Sequence, residues 1–209
     1  MSITTDAPPP PGFGAASQPS PDDCDRADME KLQAGHDVAL NDLMERHAAP
    51  VFRFLCRMVG NEDDANDLAQ ETFVRVFKSR DSFRREQKFS TWLFTIAANL
   101  ARNHFRWRAR HPGISLDAEN PETEQTLGST LPGNVSAPNE AALAGERAEA
   151  VRAAVKNLPE DLREAIVLCE WEERSIAEAA TILEATPKAV ESRLYRARNI
   201  LREQLKSWL

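Results

Sequence analysis

A polar and cationic track follows one predicted helix in the middle of the chain, from about Thr91 to Arg110. The apolar side of this helix is predicted to hold Leu93, Ile96, Leu100 and Trp107. Thr95, Asn99, Arg102 and Arg106 are spaced i, i+4, i+7 and i+11, so they fall on one helical face. Aromatic residues are interleaved with this track: Phe89, Trp92, Phe94, Phe105 and Trp107. Cations neutralise phosphates and rings stack on unpaired bases, so the pattern is typical of a surface for single-stranded nucleic acid. Most of these rings are expected in the core, and Trp92 and Phe94 are the best candidates for exposure.

An acidic face is predicted on the preceding helix, from about Glu62 to Arg80. One side of this helix is mostly apolar: Ala65, Leu68, Ala69, Thr72, Phe73 and Val76. The other side carries Asp64, Asp67, Glu71, Val74 and Lys78. Acidic residues in a first helical turn suit the helix dipole, but Asp67 and Glu71 lie too far along the helix for that explanation. The face therefore resembles a docking surface for a basic partner helix.

A helix-turn-helix is predicted near the C-terminus. The helix before it is predicted to open at Leu158-Pro159 and to hold Leu162, Ala165, Ile166 and Cys169. Ser175 and Glu178 have the spacing of a capping box at the start of a short helix. Thr186 then provides an N-cap and Pro187 the first position of a long helix. The long helix has a predicted buried stripe: Val190, Leu194, Ala197, Leu201, Leu205 and Trp208. Its other face is polar and basic in the first two turns, which is typical of a helix that enters the DNA major groove.

The charge of the chain is segregated along the sequence. The net charge is −7, but residues 75–110 carry 10 basic and 2 acidic side chains, and residues 188–209 carry 6 and 2. Residues 22–71 and 112–150 are acidic, with 13 acidic side chains against 5 basic and 7 against 1, respectively. The two basic segments indicate two contacts with polyanions, and the acidic ones indicate other, electropositive partners.

An enzymatic function finds little support in these residues. The four histidines have no metal-ligand spacing, and neither a phosphate-binding glycine loop nor a nucleophile motif occurs. We therefore expect no catalytic residue, metal or cofactor. The three cysteines are far apart, which suggests a reduced environment. The sequence contains no apolar stretch of membrane-spanning length and no secretory signal, so we expect a cytoplasmic protein without membrane insertion.

Two proline-rich segments divide the chain. We expect residues 1–24 to be disordered and residues 111–139 to form a flexible acidic linker. The linker separates two small helical domains, 25–110 and 140–209, and Pro50 marks a kink or join within the first. The predicted fold is all-α, because β-branched runs are scarce and apolar residues recur with helical spacing.

Four motifs give the chain a family resemblance. They are DANDLAQETF at 64–73, FSTWLFTIAAN at 89–99, LPEDLREA at 158–165 and ESRLYRAR at 191–198. In this order across a linker, the motifs resemble the extracytoplasmic-function (ECF) sigma factors of bacterial RNA polymerase. The resemblance implies that 25–110 is sigma region 2 and 140–209 is sigma region 4. It implies a transcription initiation factor that directs core RNA polymerase to specific promoters.

The resemblance also implies a role for each surface. Contact with the polymerase β′ clamp helices is expected for Asp64, Asp67, Leu68, Gln70, Glu71 and Val74. Melting of the minus-ten element is expected for Arg84, Arg85, Lys88, Phe89, Ser90, Trp92, Phe94, Asn99, Arg102, Asn103 and Arg106. Reading of the minus-thirty-five element is expected for Lys188, Ser192, Arg193, Tyr195, Arg196 and Asn199. Asn66, Asn103 and Glu191 depart from residues frequent in the family, so no promoter sequence is carried over.

The partners implied by the resemblance are core RNA polymerase, through its β′ clamp helices and β flap, promoter DNA as single and double strand, and an anti-sigma factor. The alternative is a stand-alone helix-turn-helix regulator whose N-terminal helical domain senses a ligand or partner. Nothing in 25–110 resembles a ligand pocket, and the aromatic and basic helix would have no role in such a regulator.

Overall fold

The computed structural model describes residues 20–111 and 138–208, and every regular element in these two ranges is helical. The helices are α1 (Pro21–Gln33), α2 (Ala39–Val59), α3 (Glu62–Lys78), α4 (Phe89–Arg110), α5 (Pro138–Lys156), α6 (Glu160–Ile166), α7 (Ile176–Ile182) and α8 (Pro187–Gln204). Three short turns join them: 3-10 turns at Arg80–Ser82 and Lys206–Trp208, and a π-helical turn at Val167–Trp171. The all-α prediction is confirmed. Residues 1–19, which were predicted to be disordered, and residues 112–137, the interior of the predicted linker, lie outside the described residues.

The first helix begins earlier than the sequence suggested. Ser20 caps α1, accepting a hydrogen bond from the Asp23 amide, while the Asp23 carboxylate accepts bonds from the Ser20 amide and hydroxyl. Pro21 occupies the first helical position, where its missing N–H costs nothing. The expected disorder to residue 24 therefore does not hold for 20–24, because this capping box satisfies the orphan amides of the first turn.

Helices α1 to α4 pack around one apolar core. Helix α2 passes through Pro50 without a break, although a kink or join was expected there. Its buried side chains offset the hydrogen bond that proline removes; they include Leu43, Val51, Phe54, Leu55 and Met58. Gly60 ends α2 in the left-handed conformation, with φ of 70°, which glycine adopts without a steric penalty.

Three helix boundaries differ from the prediction. Helix α3 ends at Lys78 rather than Arg80, and the chain turns through Arg80–Ser82 before the loop. Helix α4 begins at Phe89, two residues before the predicted start at Thr91, because Phe89 and Ser90 are buried against the core. Helix α6 ends at Ile166 and continues as the π-helical turn that contains Cys169.

The helix-turn-helix forms with the two helix caps that the sequence predicted. Ser175 and Glu178 make both hydrogen bonds of the capping box at α7. The Thr186 hydroxyl accepts a bond from the Ala189 amide, with Pro187 in the first position of α8. The C-terminal end of the predicted buried stripe is more exposed than expected. Leu201 and Leu205 are only partly buried, and Trp208 is 38% exposed.

The two helical halves are in contact in this structure. Their buried apolar residues form one contiguous cluster that runs from α1 to α8. Helix α4 packs on α7, and α2 packs on α5, α6 and the π-helical turn. None of the helices in the described ranges has the length and apolarity to cross a membrane.

Candidate nucleic-acid and partner interfaces

The acidic face of α3 is largely open to solvent. Asp67 and Gln70 are exposed, and Val74 is 41% exposed between them and the end of the helix. Glu71 is half exposed and accepts a hydrogen bond of 2.9 Å from Arg75 Nε, which lowers the pKa of its carboxyl. Ionised carboxylates around an exposed valine form a surface that suits a partner carrying both cations and apolar side chains.

Two residues predicted for this face are directed elsewhere. Asp64 Oδ2 lies 3.3 Å from His104 Nε2 and 3.4 Å from Arg108 Nη1, so it is engaged by α4. Leu68 is partly buried and packs against the core. Both follow from helix geometry, since Asp64 and Leu68 are i, i+4 on the side of α3 that turns towards α4 and the core.

A groove that the sequence analysis missed adjoins the acidic face. It lies between α2 and α3, has a volume of about 280 Å³, and is lined in part by Met44, Phe52, Gln70 and Phe73. Met44, which is 37% exposed, and Phe52 follow an i, i+8 spacing on α2. One of these apolar side chains is exposed and the other partly buried, and their shared position on α2 is the signal that could have indicated the groove.

Three of the residues predicted to contact minus-ten DNA are buried. Phe94 has no exposed surface and packs edge-on against Phe54, with ring centroids 5.3 Å apart. Phe89 is 2% exposed and Ser90 is 6% exposed. The prediction that Phe94 is exposed is therefore wrong, because the interior needs a large side chain at this position of α4. Phe89 and Phe94 are core residues that fix the start of α4.

The remaining loop and helix residues are more accessible. Arg84, Arg85, Asn103 and Arg106 are exposed, and Trp92 is half buried. Trp92 packs against Phe83, with ring centroids 5.3 Å apart, so one part of its ring is fixed while another remains accessible.

Trp107 also differs from the prediction. It was assigned to the apolar side of α4, but it is 46% exposed and stacks on His111.

Arg102 carries an ion pair between the two halves. Its Nε donates to Glu164 Oε1 at 2.7 Å, and its Nη1 donates to Asn99 Oδ1 at 2.7 Å. The Glu164 side chain is only 6% exposed, and burial raises the pKa of its carboxyl against the opposing effect of Arg102. Arg102 and Asn99, both predicted to bind DNA, thus already have partners within the protein. One partner of Arg102, Glu164, belongs to the second half.

Further polar contacts join α4 and the loop before it to the second half. Lys88 Nζ lies 3.0 Å from Glu178 Oε1, and the Arg174 guanidinium donates to Ser90 Oγ at 3.0 Å while covering the Phe94 ring. Beside these contacts is a cleft of about 420 Å³ between α4 and α7, lined in part by Trp92 and Thr95. Here this cleft is called the α4–α7 cleft. It contains Trp92, the most accessible aromatic ring among the predicted minus-ten contacts.

The first three turns of α8 present the predicted polar surface. Lys188, Ser192, Tyr195 and Arg196 are exposed, and Tyr195 reaches 69% exposure. Arg193 is partly buried, and both Arg193 Nε and Arg196 Nη2 lie 3.6 Å from Asp161 Oδ2.

Asn199 is partly buried and accepts a hydrogen bond from Arg202. Arg193 and Asn199 therefore lie at the edge of this surface.

No metal-binding group was found within 20–111 and 138–208, where three or more His, Cys, Asp or Glu side chains nowhere cluster suitably. Cys24, Cys56 and Cys169 are unpaired thiols. Burial raises the pKa values of Cys56 and Cys169.

Both halves of the chain match known protein families. The family model described as Sigma-70 region 2 matches residues 43–111, and the model described as Sigma-70, region 4, matches residues 148–201. The ECF RNA polymerase sigma-E factor of Haemophilus influenzae is 35% identical over 87% of this chain and 95% of its own length. The ECF RNA polymerase sigma factor SigW of Bacillus subtilis is 34% identical over 85% of this chain and 95% of its own length.

Solved structures give the same result. CnrH in complex with the cytosolic domain of CnrY matches with a TM-score of 0.65 and 28% identity, over 88% of this chain and 99% of that one. The sigma factor RpoE of Bartonella quintana, solved with the anti-sigma factor NepR, matches with a TM-score of 0.58 and 26% identity, over 79% and 96%. The fold and the paired regions define a sigma factor of RNA polymerase. Within that class, the chain belongs to the ECF sigma factors, and it functions in transcription initiation.

Proposed function

We propose that this sigma factor binds core RNA polymerase through the acidic face of α3 and uses its two basic surfaces on the two promoter elements. The observation that carries the proposal is that one chain exposes both an acidic docking face and the polar surface of a helix-turn-helix. A stand-alone regulator has no need of the first surface.

The polymerase contact centres on Asp67, Gln70, Glu71 and Val74. Their exposure supports this assignment, and so does the apolar groove between α2 and α3 beside them. A basic helix of the β′ clamp would pair with the carboxylates and bury Val74. Asp64 and Leu68 contribute indirectly, since Asp64 ties α3 to α4 and Leu68 packs below the face.

The minus-ten element engages the loop before α4 and the exposed part of α4. Arg84, Arg85, Lys88 and Arg106 would neutralise phosphates, and Trp92 would stack on an unpaired base in the α4–α7 cleft. Unpairing a base costs a few kcal/mol, which stacking and phosphate contacts can offset.

Engagement of this element requires the two halves to separate. Arg102 is held by Glu164, Lys88 by Glu178 and Ser90 by Arg174, so α6, α7 and the segment before α7 occupy the same groups that DNA would use. The arrangement described here is therefore the closed form, and the promoter-bound form is open at the α4–α7 cleft.

The minus-thirty-five element is read as duplex by α8. Lys188, Ser192, Tyr195 and Arg196 form an exposed surface over its first three turns, and the N-terminal part of a recognition helix is the part that reaches base edges. Arg193 and Asn199 support its edge. The β flap of the polymerase is a second expected contact of this half.

An anti-sigma factor is the remaining proposed partner. The two similar solved structures support it, because RpoE was crystallised with the anti-sigma factor NepR, and CnrH with the cytosolic domain of CnrY. A partner that holds the closed form would compete with the promoter for the same residues.

The test is reconstitution with core polymerase from the source bacterium. The protein is mixed with core enzyme, the complex is isolated by size exclusion, and run-off transcripts are sequenced from a library of promoters randomised at both elements. We expect a stable complex and transcripts enriched for two sequence elements. Absence of a complex would contradict the proposal, as would tight specific duplex binding by the free protein that core polymerase does not change.

A further inference from the structure

Helix α1 precedes the segment that the region 2 model matches, which begins at residue 43. Its inner face is firmly anchored. Met29 and Leu32 have no exposed surface, and Arg46 of α2 bridges the buried carboxylates of Asp25 and Asp28. A rigid helix is therefore fixed beside the loop that runs from Phe83 to Lys88, called loop 83–88 here.

Side chains on the outer face of α1 donate hydrogen bonds to backbone carbonyls in and next to loop 83–88. Gln33 Nε2 donates to the Arg80 carbonyl at 2.8 Å and to the Phe83 carbonyl at 3.1 Å. Further along, Arg26 Nε donates to the Arg85 carbonyl at 3.2 Å. Two side chains of α1 thus bind the backbone at Arg80, whose carbonyl also accepts from the Phe83 amide, and at Phe83 and Arg85 within the loop.

The same helix also pairs with the cations of the loop. Glu30 Oε1 lies 3.0 Å from Arg85 Nε, and Asp22 Oδ2 lies 3.6 Å from Lys88 Nζ. On its other side the loop rests on Phe83, which is 6% exposed and packs against Trp92. Loop 83–88 is thus held between α1 and an aromatic cluster.

We propose that α1 is a positioning element for the minus-ten promoter element, and that Gln33 and Arg26 set the backbone shape of loop 83–88, whose Phe83 packs against the Trp92 ring that would stack on the unpaired base. This inference rests on the proposed function. The carboxylates of Glu30 and Asp22 hold Arg85 and Lys88 until DNA phosphates replace them. Base preference at the minus-ten element then depends on a helix that itself touches no base.

The experiment uses holoenzyme reconstituted from core polymerase and the full chain, with a promoter library randomised only in the minus-ten element. Gln33→Glu is nearly isosteric but cannot donate to the two carbonyls. We expect preference for the best base over the worst at the melted positions to fall about tenfold, since two hydrogen bonds are lost. Gln33→Lys restores a donor and is expected to recover much of the preference.

Three controls separate this inference from other effects. Gln204→Glu makes the same change at an exposed position of α8 and should leave base preference unchanged. Arg26→Ala acts at the opposite end of the loop and should reduce preference even where Gln33 variants fold poorly. Binding to core polymerase is measured for each variant and should match the wild type.

The outcomes are distinct. If the wild-type holoenzyme selects no minus-ten sequence, the proposed function fails. If the wild type selects one and both Gln33→Glu and Arg26→Ala select it equally well, the positioning role of α1 is wrong.

Discussion

Replacing Glu164 with alanine should open the contact between the two halves. Glu164 accepts the 2.7 Å hydrogen bond from Arg102 and is 6% exposed, whereas Arg102 is 22% exposed. Without the carboxylate, Arg102 keeps a desolvated charge in the closed form but is fully hydrated in the open form. The substitution therefore destabilises the closed form selectively.

The size of the effect follows from the remaining contacts of Arg102. Breaking a buried ion pair costs about 3–5 kcal/mol when the surviving charge has no other partner. Arg102 keeps its bonds to Asn99 and to the Ile182 carbonyl, so we expect about 1.5–3 kcal/mol, the range for hydrogen bonds to charged groups. That corresponds to about a ten- to hundredfold shift towards the open form.

Two measurements detect the shift. The radius of gyration from small-angle X-ray scattering should increase, and affinity for a fluorescent single-stranded oligonucleotide should rise as the open fraction rises. Glu170→Ala is the matched control, because Glu170 pairs with Arg198 within the second half. Unchanged scattering and unchanged DNA affinity in a folded Glu164→Ala protein would refute the closed-form account.

Two further substitutions test the pH response and the helix-turn-helix. Burial alone would raise the pKa of Glu178, but hydrogen bonds with Ser175 and Lys88 lower it from 4.5 to about 2. Its carboxylate therefore stabilises the folded protein above about pH 4.5 and loses that effect as the pH falls towards 2. The part that comes from Lys88, which crosses between the halves, acts only in the closed form. Glu178→Gln should remove this part of the acid-induced opening, seen as a weaker dependence of scattering on pH between about 5 and 3 than in the wild type. Thr186→Ala should lower the free energy of unfolding by about 1 kcal/mol in urea titrations, through loss of the α8 cap. Thr181→Ala, which removes a hydroxyl bonded only within α7, should change it by less than about 0.5 kcal/mol, and equal losses would contradict the capping role.

Local sequence signals predicted the elements of this fold well. The Ser175 and Thr186 caps form as expected, since a cap depends only on residues three positions apart. The segment at 64–73 correctly indicated an exposed Asp67 and a buried Phe73. Hydrophobic periodicity shows which side of a helix is apolar, and this is sufficient to predict burial where only one face of the helix contacts solvent.

Contacts between distant segments could not be predicted in this way. Phe94 and Trp92 are both aromatic residues near the start of α4, but only Phe94 is covered by Phe54 of α2 and Arg174 of the second half. The partner of Arg102 is 62 residues away. The hold of Gln33 on loop 83–88 left no local pattern, because its partners are backbone carbonyls. Such pairs depend on tertiary packing, which helical periodicity does not encode.

The assembly of holoenzyme tests the central claim most directly. Asp67 and Glu71 are replaced together by lysine, and affinity for core polymerase is measured by fluorescence titration. Glu146 and Glu149, exposed carboxylates of α5, are replaced in the same way as a matched control, since Glu149 pairs with Arg152 much as Glu71 pairs with Arg75. Like charges in a docked interface cost several kcal/mol, so we expect at least about a hundredfold loss for the α3 variant and little change for the control. Normal assembly and initiation by the Asp67→Lys, Glu71→Lys protein would contradict the account.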